Sequence, residues 1–139
     1  MDDQTFLLDS VESQSDAFNY AVALQKRAAE VGFDWSDIDG VISKISEELT
    51  ELKHEIDTEQ SQAKIQAELG DLLFACCNLA RHLNIDPTAA INSTNQKFYR
   101  RFNYVETCVT AANKQFSDFS LQELDNYWEQ AKQLERLTD

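Results

Sequence analysis

Residues 44–52 read Lys44-Ile45-Ser46-Glu47-Glu48-Leu49-Thr50-Glu51-Leu52, and residues 67–75 read Ala67-Glu68-Leu69-Gly70-Asp71-Leu72-Leu73-Phe74-Ala75. Each stretch carries two acids three residues apart, Glu48/Glu51 and Glu68/Asp71, at the edge of an apolar helical pattern. At that spacing both members of a pair lie on one side of a helix, one turn apart. Two helices joined by a short connection then bring four carboxylates onto a hard divalent cation. An oxygen-only donor set selects Mg²⁺ or Mn²⁺ over zinc.

The rest of the chain reads as helices around this pair. Over residues 37–57, at roughly 100° per residue, Val41, Ile45, Leu49, Leu52 and Ile56 form one apolar stripe. Glu48 lies at the border of that stripe, Glu51 and Glu55 fan out beside it, and Glu47 points nearly opposite, into water. A carboxylate at a core border costs free energy unless something pairs with it. The next helix, near residues 61–83, is apolar almost all round from Leu72 to Ala80. Such a helix is central in a bundle or covered by a second subunit. Gly70, between Glu68 and Asp71, is expected to permit close approach.

Upstream, a helical pattern from Phe18 to Ala29 has Ser15 or Asp16 as N-cap and ends near Gly32. Gly32-Phe33-Asp34-Trp35 is a short link whose two aromatics either staple neighbouring helices or meet a ligand. Downstream, Asp86-Pro87 opens a fourth helix. It carries the densest basic cluster of the chain, Lys97, Arg100 and Arg101, together with Asn95. Ser120-Leu121-Gln122-Glu123 is a capping box that opens a last helix bearing Trp128 and Lys132, one turn apart. Residues 1–14 form a loose lead-in and residues 15–139 a single domain. No strand alternation competes, so the expected fold is an all-α bundle of four to five helices.

Composition narrows the function. The 139 residues include three Gly and one Pro, which suits a helical chain with few sharp turns. A net charge of −13 repels a phosphate backbone and argues against nucleic acid as a partner. Small anionic substrates remain compatible, because a bound cation inverts the local sign. Cys76, Cys77 and Cys108 have no disulfide or zinc spacing and read as small reduced hydrophobes. The acidic N-terminus is unlike a signal peptide and the apolar runs are too short to span a bilayer, so a soluble cytoplasmic protein with no membrane partner is expected. A di-iron carboxylate bundle is the metal rival, since Glu51-Leu52-Lys53-His54 reads E-x-x-H. That architecture needs a second such motif, and His82 is preceded three residues earlier by Leu79.

The motif Glu47-Glu48-x-x-Glu51, a gap of sixteen residues, then Glu68-x-x-Asp71 resembles the signature of the all-α nucleoside triphosphate pyrophosphohydrolases. More closely, the chain is similar to the C-terminal domain of the MazG family. Supporting stretches are residues 25–29 (QKRAA), 31–35 (VGFDW), 70–75 (GDLLFA), 78–83 (NLARHL) and the Lys97-Phe98-x-Arg100-Arg101-Phe102 run. The resemblance covers about residues 20–137. It departs in length: typical MazG proteins hold two such domains, and this chain has room for one, as a single-domain relative or as a fragment.

The resemblance implies hydrolysis of a nucleoside triphosphate between the α and β phosphates, giving a monophosphate and pyrophosphate. It implies Mg²⁺, or Mn²⁺, on Glu48, Glu51, Glu68 and Asp71. Glu47 then helps to activate water, and Lys97 and Arg101 hold the triphosphate, with Lys97 serving catalysis as well. Trp128, Lys132 and Asn95 match positions toward the nucleotide, although Trp128 equally suits core packing. A homodimer is implied too. Two other readings stay open: a non-catalytic helical interaction or regulatory module, and a narrow dUTP or dCTP pyrophosphatase.

Overall fold

The computed structural model describes residues 5–13 and 16–138, and every described element is helical. Five helices follow in order: α1 (Ala17–Ala29), α2 (Ile38–Asp57), α3 (Gln62–His82), α4 (Pro87–Ala111) and α5 (Leu121–Leu137). Single-turn helices at Leu7–Ser10 and Phe116–Asp118 precede α1 and α5. The chain divides into two compact units, Met1–Ala90 and Ile91–Asp139. None of the helices is long and apolar enough, among the described residues, to cross a membrane.

Local chemistry sets the helix ends. Asp16 caps α1 by accepting from Phe18 N at 3.1 Å and Asn19 N at 3.3 Å; Ser15, the other candidate, lies outside the described residues, as do residues 1–4 and 14 of the lead-in. Asp37 caps α2 through Gly40 N at 2.9 Å, and Ser61 caps α3 through Lys64 N at 3.3 Å. Asp86 receives Thr88 N at 2.9 Å above Pro87, as the Asp-Pro pair implies. The Ser120/Glu123 capping box is formed in both directions. Gly32 takes φ +90° three residues after α1, a conformation that L side chains rarely adopt.

In the first unit α2 packs along α3 as a helical hairpin, and α1 lies against α3. Val41, Leu52, Ala75 and Cys77 are its buried apolar side chains. The α2 stripe departs from the pattern expected of it. Val41 and Leu52 are buried, yet Leu49 and Ile56 are 55% and 52% exposed. The buried meridian runs through Val41, Glu48 and Leu52, within about 40° of arc, and Ile56 and Leu49 sit roughly 60–80° off its centre. Helix α3 likewise has an outer face, since Leu73, Phe74 and Cys76 are exposed. Gly70 lies in open space, with nothing within 4 Å of a Cβ added there, so no close approach depends on it. Gly40 plays that part instead: the Trp35 ring lies 3.2 Å from where its Cβ would be. The three cysteines are free.

The second unit is organised by aromatic side chains. Phe98 and Phe102 stack at 6.0 Å, Phe98 meets Trp128 at 5.3 Å, and Phe102 stacks on Phe116 at 5.5 Å. Val105, Val109 and Ala131 are buried beside them.

Two outcomes follow from these ends. Gly32→Ala is expected to cost about 1 kcal/mol, because the strain of positive φ is the whole effect where no atom lies nearby. Urea unfolding reads it as a lower midpoint at unchanged slope. The Thr88 hydroxyl, donating to Asp16 at 2.8 Å, holds the Asp16 carboxyl below its ordinary value of 3.8. Its contribution is therefore complete above pH 3.8 and is lost as the pH falls through the lower folded-state value. Asp16→Asn is expected to flatten the acid-side loss of stability below about pH 4, with no change in pH slope near neutrality.

Candidate metal centre

Helix α2 points Glu48 into the hairpin, and α3 points Glu68 and Asp71 back at it. One carboxylate oxygen from each of the three lies within 4.8 Å of the others. Glu48 is not a border residue as its wheel position suggests: it is only 6% exposed. Lys44, one turn earlier, donates to Glu48 Oε1 at 3.0 Å and reaches Glu47 Oε1 at 3.5 Å. That contact with Glu48 is the main reason the Lys44 ammonium is held above its ordinary pKa.

The remaining oxygens decide what the cluster is suited to. Glu48 Oε2 and Glu68 Oε2 are both buried and, among the described residues, meet no hydrogen-bond donor. A buried carboxylate oxygen without a donor is costly, and two beside one another are costlier. Packing that ended as a solvated or salt-bridged surface would not leave them so. A divalent cation offers what both lack, and hard oxygen donors at this separation fit one. Glu51 stands at the edge of the group. Its carboxyl is pushed above the ordinary range first by the charge of Glu48, then by burial, then by Glu68. It therefore shares the field of the cluster although its oxygens lie outside the 4.8 Å set. Glu47 is exposed, its carboxylate within reach of the same Lys44 ammonium that pairs with Glu48.

The cluster opens onto a cavity of about 860 Å³, whose walls include Glu48 and Asp71 at one part and Phe33, Trp35, Asn78 and Arg81 elsewhere. The last two belong to a polar knot. Arg81 Nη2 donates to Asp34 Oδ1 at 2.6 Å and to Asn78 Oδ1 at 2.9 Å, and His82 Nε2 lies 2.9 Å from Asp34 Oδ1. Burial raises the Asp34 carboxyl, but its bonds to Arg81 and His82 outweigh that and hold it below the usual range. The knot anchors the Gly32–Trp35 link to the end of α3, and Trp35 is further seated on Gly40.

The basic candidates lie in the second unit. Arg101 donates from Nε at 3.1 Å and Nη2 at 2.9 Å to Glu135, and its guanidinium is 5.7 Å from the Trp128 ring centre. Arg101 in turn keeps the Glu135 carboxyl below its ordinary range. Lys132 reaches Glu129 at 3.5 Å. Lys97 is half-buried, and Asn95 is exposed beside Tyr99 and Arg100. His54 is exposed, away from any metal-ligand group among the described residues.

A model of the MazG nucleotide pyrophosphohydrolase domain matches residues 37–106. The chain belongs to the MazG family. The matched segment contains the whole acidic hairpin. Over 129 residues this MazG domain is 40% identical to the nucleoside triphosphate pyrophosphohydrolase of Escherichia coli, covering 92% of this chain and 49% of that one. It is 40% identical over 116 residues to the nucleoside triphosphate pyrophosphohydrolase/pyrophosphatase MazG of Thermotoga maritima, covering 84% and 44%. It is also 43% identical over 72 residues to the uncharacterized protein YabN of Bacillus subtilis, covering 52% and 15%. The chain spans about half the length of the first two relatives.

Sequence reasoning found the acids and missed five residues around them: Lys44, the Asp34–Arg81–His82 knot and Gln25. Lys44 is legible as a lysine four residues before Glu48, an i,i+4 pair. Asp34 with Arg81 and His82 carries no local signal, because 47 residues separate Asp34 from Arg81. Gln25 is a polar residue in the middle of the apolar face of α1, and it is buried. For the metal centre the expected outcome is thermal. Mg²⁺ or Mn²⁺ raises the Tm of the wild type, and Glu68→Gln loses that rise while keeping or gaining stability in chelator, because one crowded charge has gone. A metal response unchanged in Glu68→Gln would remove Glu68 from the site.

Proposed function

We propose that this MazG domain hydrolyses nucleoside triphosphates with Mg²⁺, cleaving between the α and β phosphates to release a nucleoside monophosphate and pyrophosphate. The observation that carries the reading is the pair of buried carboxylate oxygens on Glu48 and Glu68, without a donor among the described residues and beside Asp71; Glu48 and Asp71 also line a cavity of about 860 Å³. The names of the Escherichia coli and Thermotoga maritima relatives support the same substrate class.

Glu48, Glu51, Glu68 and Asp71 are the proposed magnesium ligands, with Glu51 turning in from the edge. Bound there, the cation supplies neutralisation of phosphate oxygens, alignment of the triphosphate and a lowered pKa for attacking water. An anionic cluster repels a tetra-anionic substrate, so cation loading precedes or accompanies binding. Lys44 balances Glu48 while the site is empty of substrate. Glu47 is assigned to assist water, supported by Lys44 reaching both it and Glu48, and no nucleophilic side chain is required, since phosphoryl chemistry rests on positioning and charge. Lys97, Arg101, Lys132, Asn95 and Trp128 of the second unit are assigned to the nucleotide. Arg101 must then exchange Glu135 for phosphate.

The same proposal includes a homodimer. Ile42, Leu49 and Ile56 on α2, with Leu69 and Leu73 on α3, leave an apolar face exposed that a second copy covers. Sedimentation is expected to show a dimer at micromolar concentration, and Leu49→Asp to weaken it; a wild-type monomer contradicts this.

Activity is tested by Mg²⁺-dependent pyrophosphate release from the common ribo- and deoxyribonucleoside triphosphates. Glu68→Gln and Asp71→Asn are expected to lose about a hundredfold or more in turnover with helicity intact by circular dichroism. Near-normal rates in either variant would refute the metal assignment. Lys97→Ala is expected to raise KM more than it lowers kcat.

A further inference from the structure

In the second unit, two arginines of α4 grip a single carboxylate from α5. Arg101 approaches Glu135 Oε2 with Nε at 3.1 Å and Nη2 at 2.9 Å, and Arg100 Nε lies 3.4 Å from Oε1. The Nε–Nη2 edge is a fork that takes phosphate as readily as carboxylate. Trp128 faces the Arg101 guanidinium at 5.7 Å and meets Phe98 at 5.3 Å on α4, so the fork is seated on a packed ring. The grip for an anion is complete, and a glutamate of the chain fills it. Stability alone is a poor reason for that choice. Glu135 stands in the last turn of α5, where the helix dipole disfavours a negative charge. The turn is also thinly packed, with Leu134 and Leu137 exposed, so opening it costs little. One negative charge answers two positive ones, which leaves the grip under-neutralised.

We propose that Glu135 is a built-in substitute for phosphate, which occupies the Arg100–Arg101 grip until a polyphosphate displaces it. The inference rests on the assignment of Arg101 to the triphosphate made above and adds to it the residue that controls its availability. A phosphate group carrying two charges answers both guanidinium groups and wins the exchange. A singly charged anion only matches what Glu135 already supplies, so the resident carboxylate sets how much charge a ligand must bring. Glu135 touches no reacting atom; it is a positioning residue that acts through Arg101. Its cost to the substrate is the fraction of molecules in which the grip is already open, and that fraction scales apparent affinity without touching the chemical step. Removing the carboxylate therefore lowers KM and leaves kcat where it was.

The test measures KM and kcat for ATP with Mg²⁺ on the full chain, in the wild type, Glu135→Gln, Glu135→Ala and Asp125→Asn. Asp125 is an exposed acid of α5, so its variant carries the same change in net charge as the other two. Both Glu135 variants are expected to lower KM by about threefold to fivefold at unchanged kcat, the factor that loss of one partly exposed ion pair supplies. Asp125→Asn is expected to leave KM within about twofold of the wild type. A KM that is unchanged or raised in the Glu135 variants overturns the proposal, because Glu135 then merely ties α5 to α4 or holds Arg101 ready for substrate. An equal fall in Asp125→Asn overturns it as well, since net charge alone would explain the effect. Calorimetric titration with inorganic pyrophosphate in chelator separates this inference from the activity reading. Tighter binding by Glu135→Gln than by the wild type supports the exchange even if no triphosphate is hydrolysed, an outcome that sinks the activity reading alone. Equal binding, or none by either protein, sinks the exchange whatever the activity.

Discussion

Like charges crowded at the seam of a helical hairpin are the constraint from which the rest of this protein follows. Folding α2 onto α3 drives Glu48 out of water and against Glu68 and Asp71. Lys44 compensates one oxygen of Glu48, and nothing among the described residues compensates the second or its counterpart on Glu68. Hydrophobic packing of Val41, Leu52, Ala75 and Cys77 has to overcome that repulsion. An arrangement that stores unmet electrostatic demand at the seam of its own hairpin is better explained by a ligand than by stability.

Around the acids the fold supplies two kinds of surface. The link after α1 is fixed at both ends, by Asp34 on Arg81 and by Trp35 on Gly40, so its aromatics present rings to the cavity from a stiff support. Another edge of α2 keeps Ile42, Leu49 and Ile56 in solvent. A small helical domain has little core to spare, and leaving that much apolar side chain uncovered is consistent with burial by another copy.

Much of this was legible in the sequence because helical geometry is periodic. The all-α fold, the caps at Asp16, Ser120 and Asp86 and the three-residue spacing of both acid pairs need only local rules. The limits lay where a neighbour decides. A wheel places Glu48 at one edge of the stripe and Leu49 and Ile56 toward the other but does not say which edge meets α3, and the meridian that packs runs through Glu48. Gly70 suggested a close approach and meets nothing, while Gly40 receives Trp35. Gln25 carries no local mark of its burial. Only the carbonyl of Phe74, 49 residues away, shows that its amide is oriented. Arg101 stood out as a cation, with no hint that Glu135 already holds it.

The most direct measurement is anomalous diffraction from crystals grown or soaked with Mn²⁺, a scatterer that takes the same oxygen ligands as Mg²⁺. The account predicts density at about 2.0–2.3 Å from oxygens of Glu48, Glu68 and Asp71, with Glu51 rotated toward it. Peaks confined to other surfaces, with Lys44 still on Glu48 and the acids turned to bulk solvent, would contradict it.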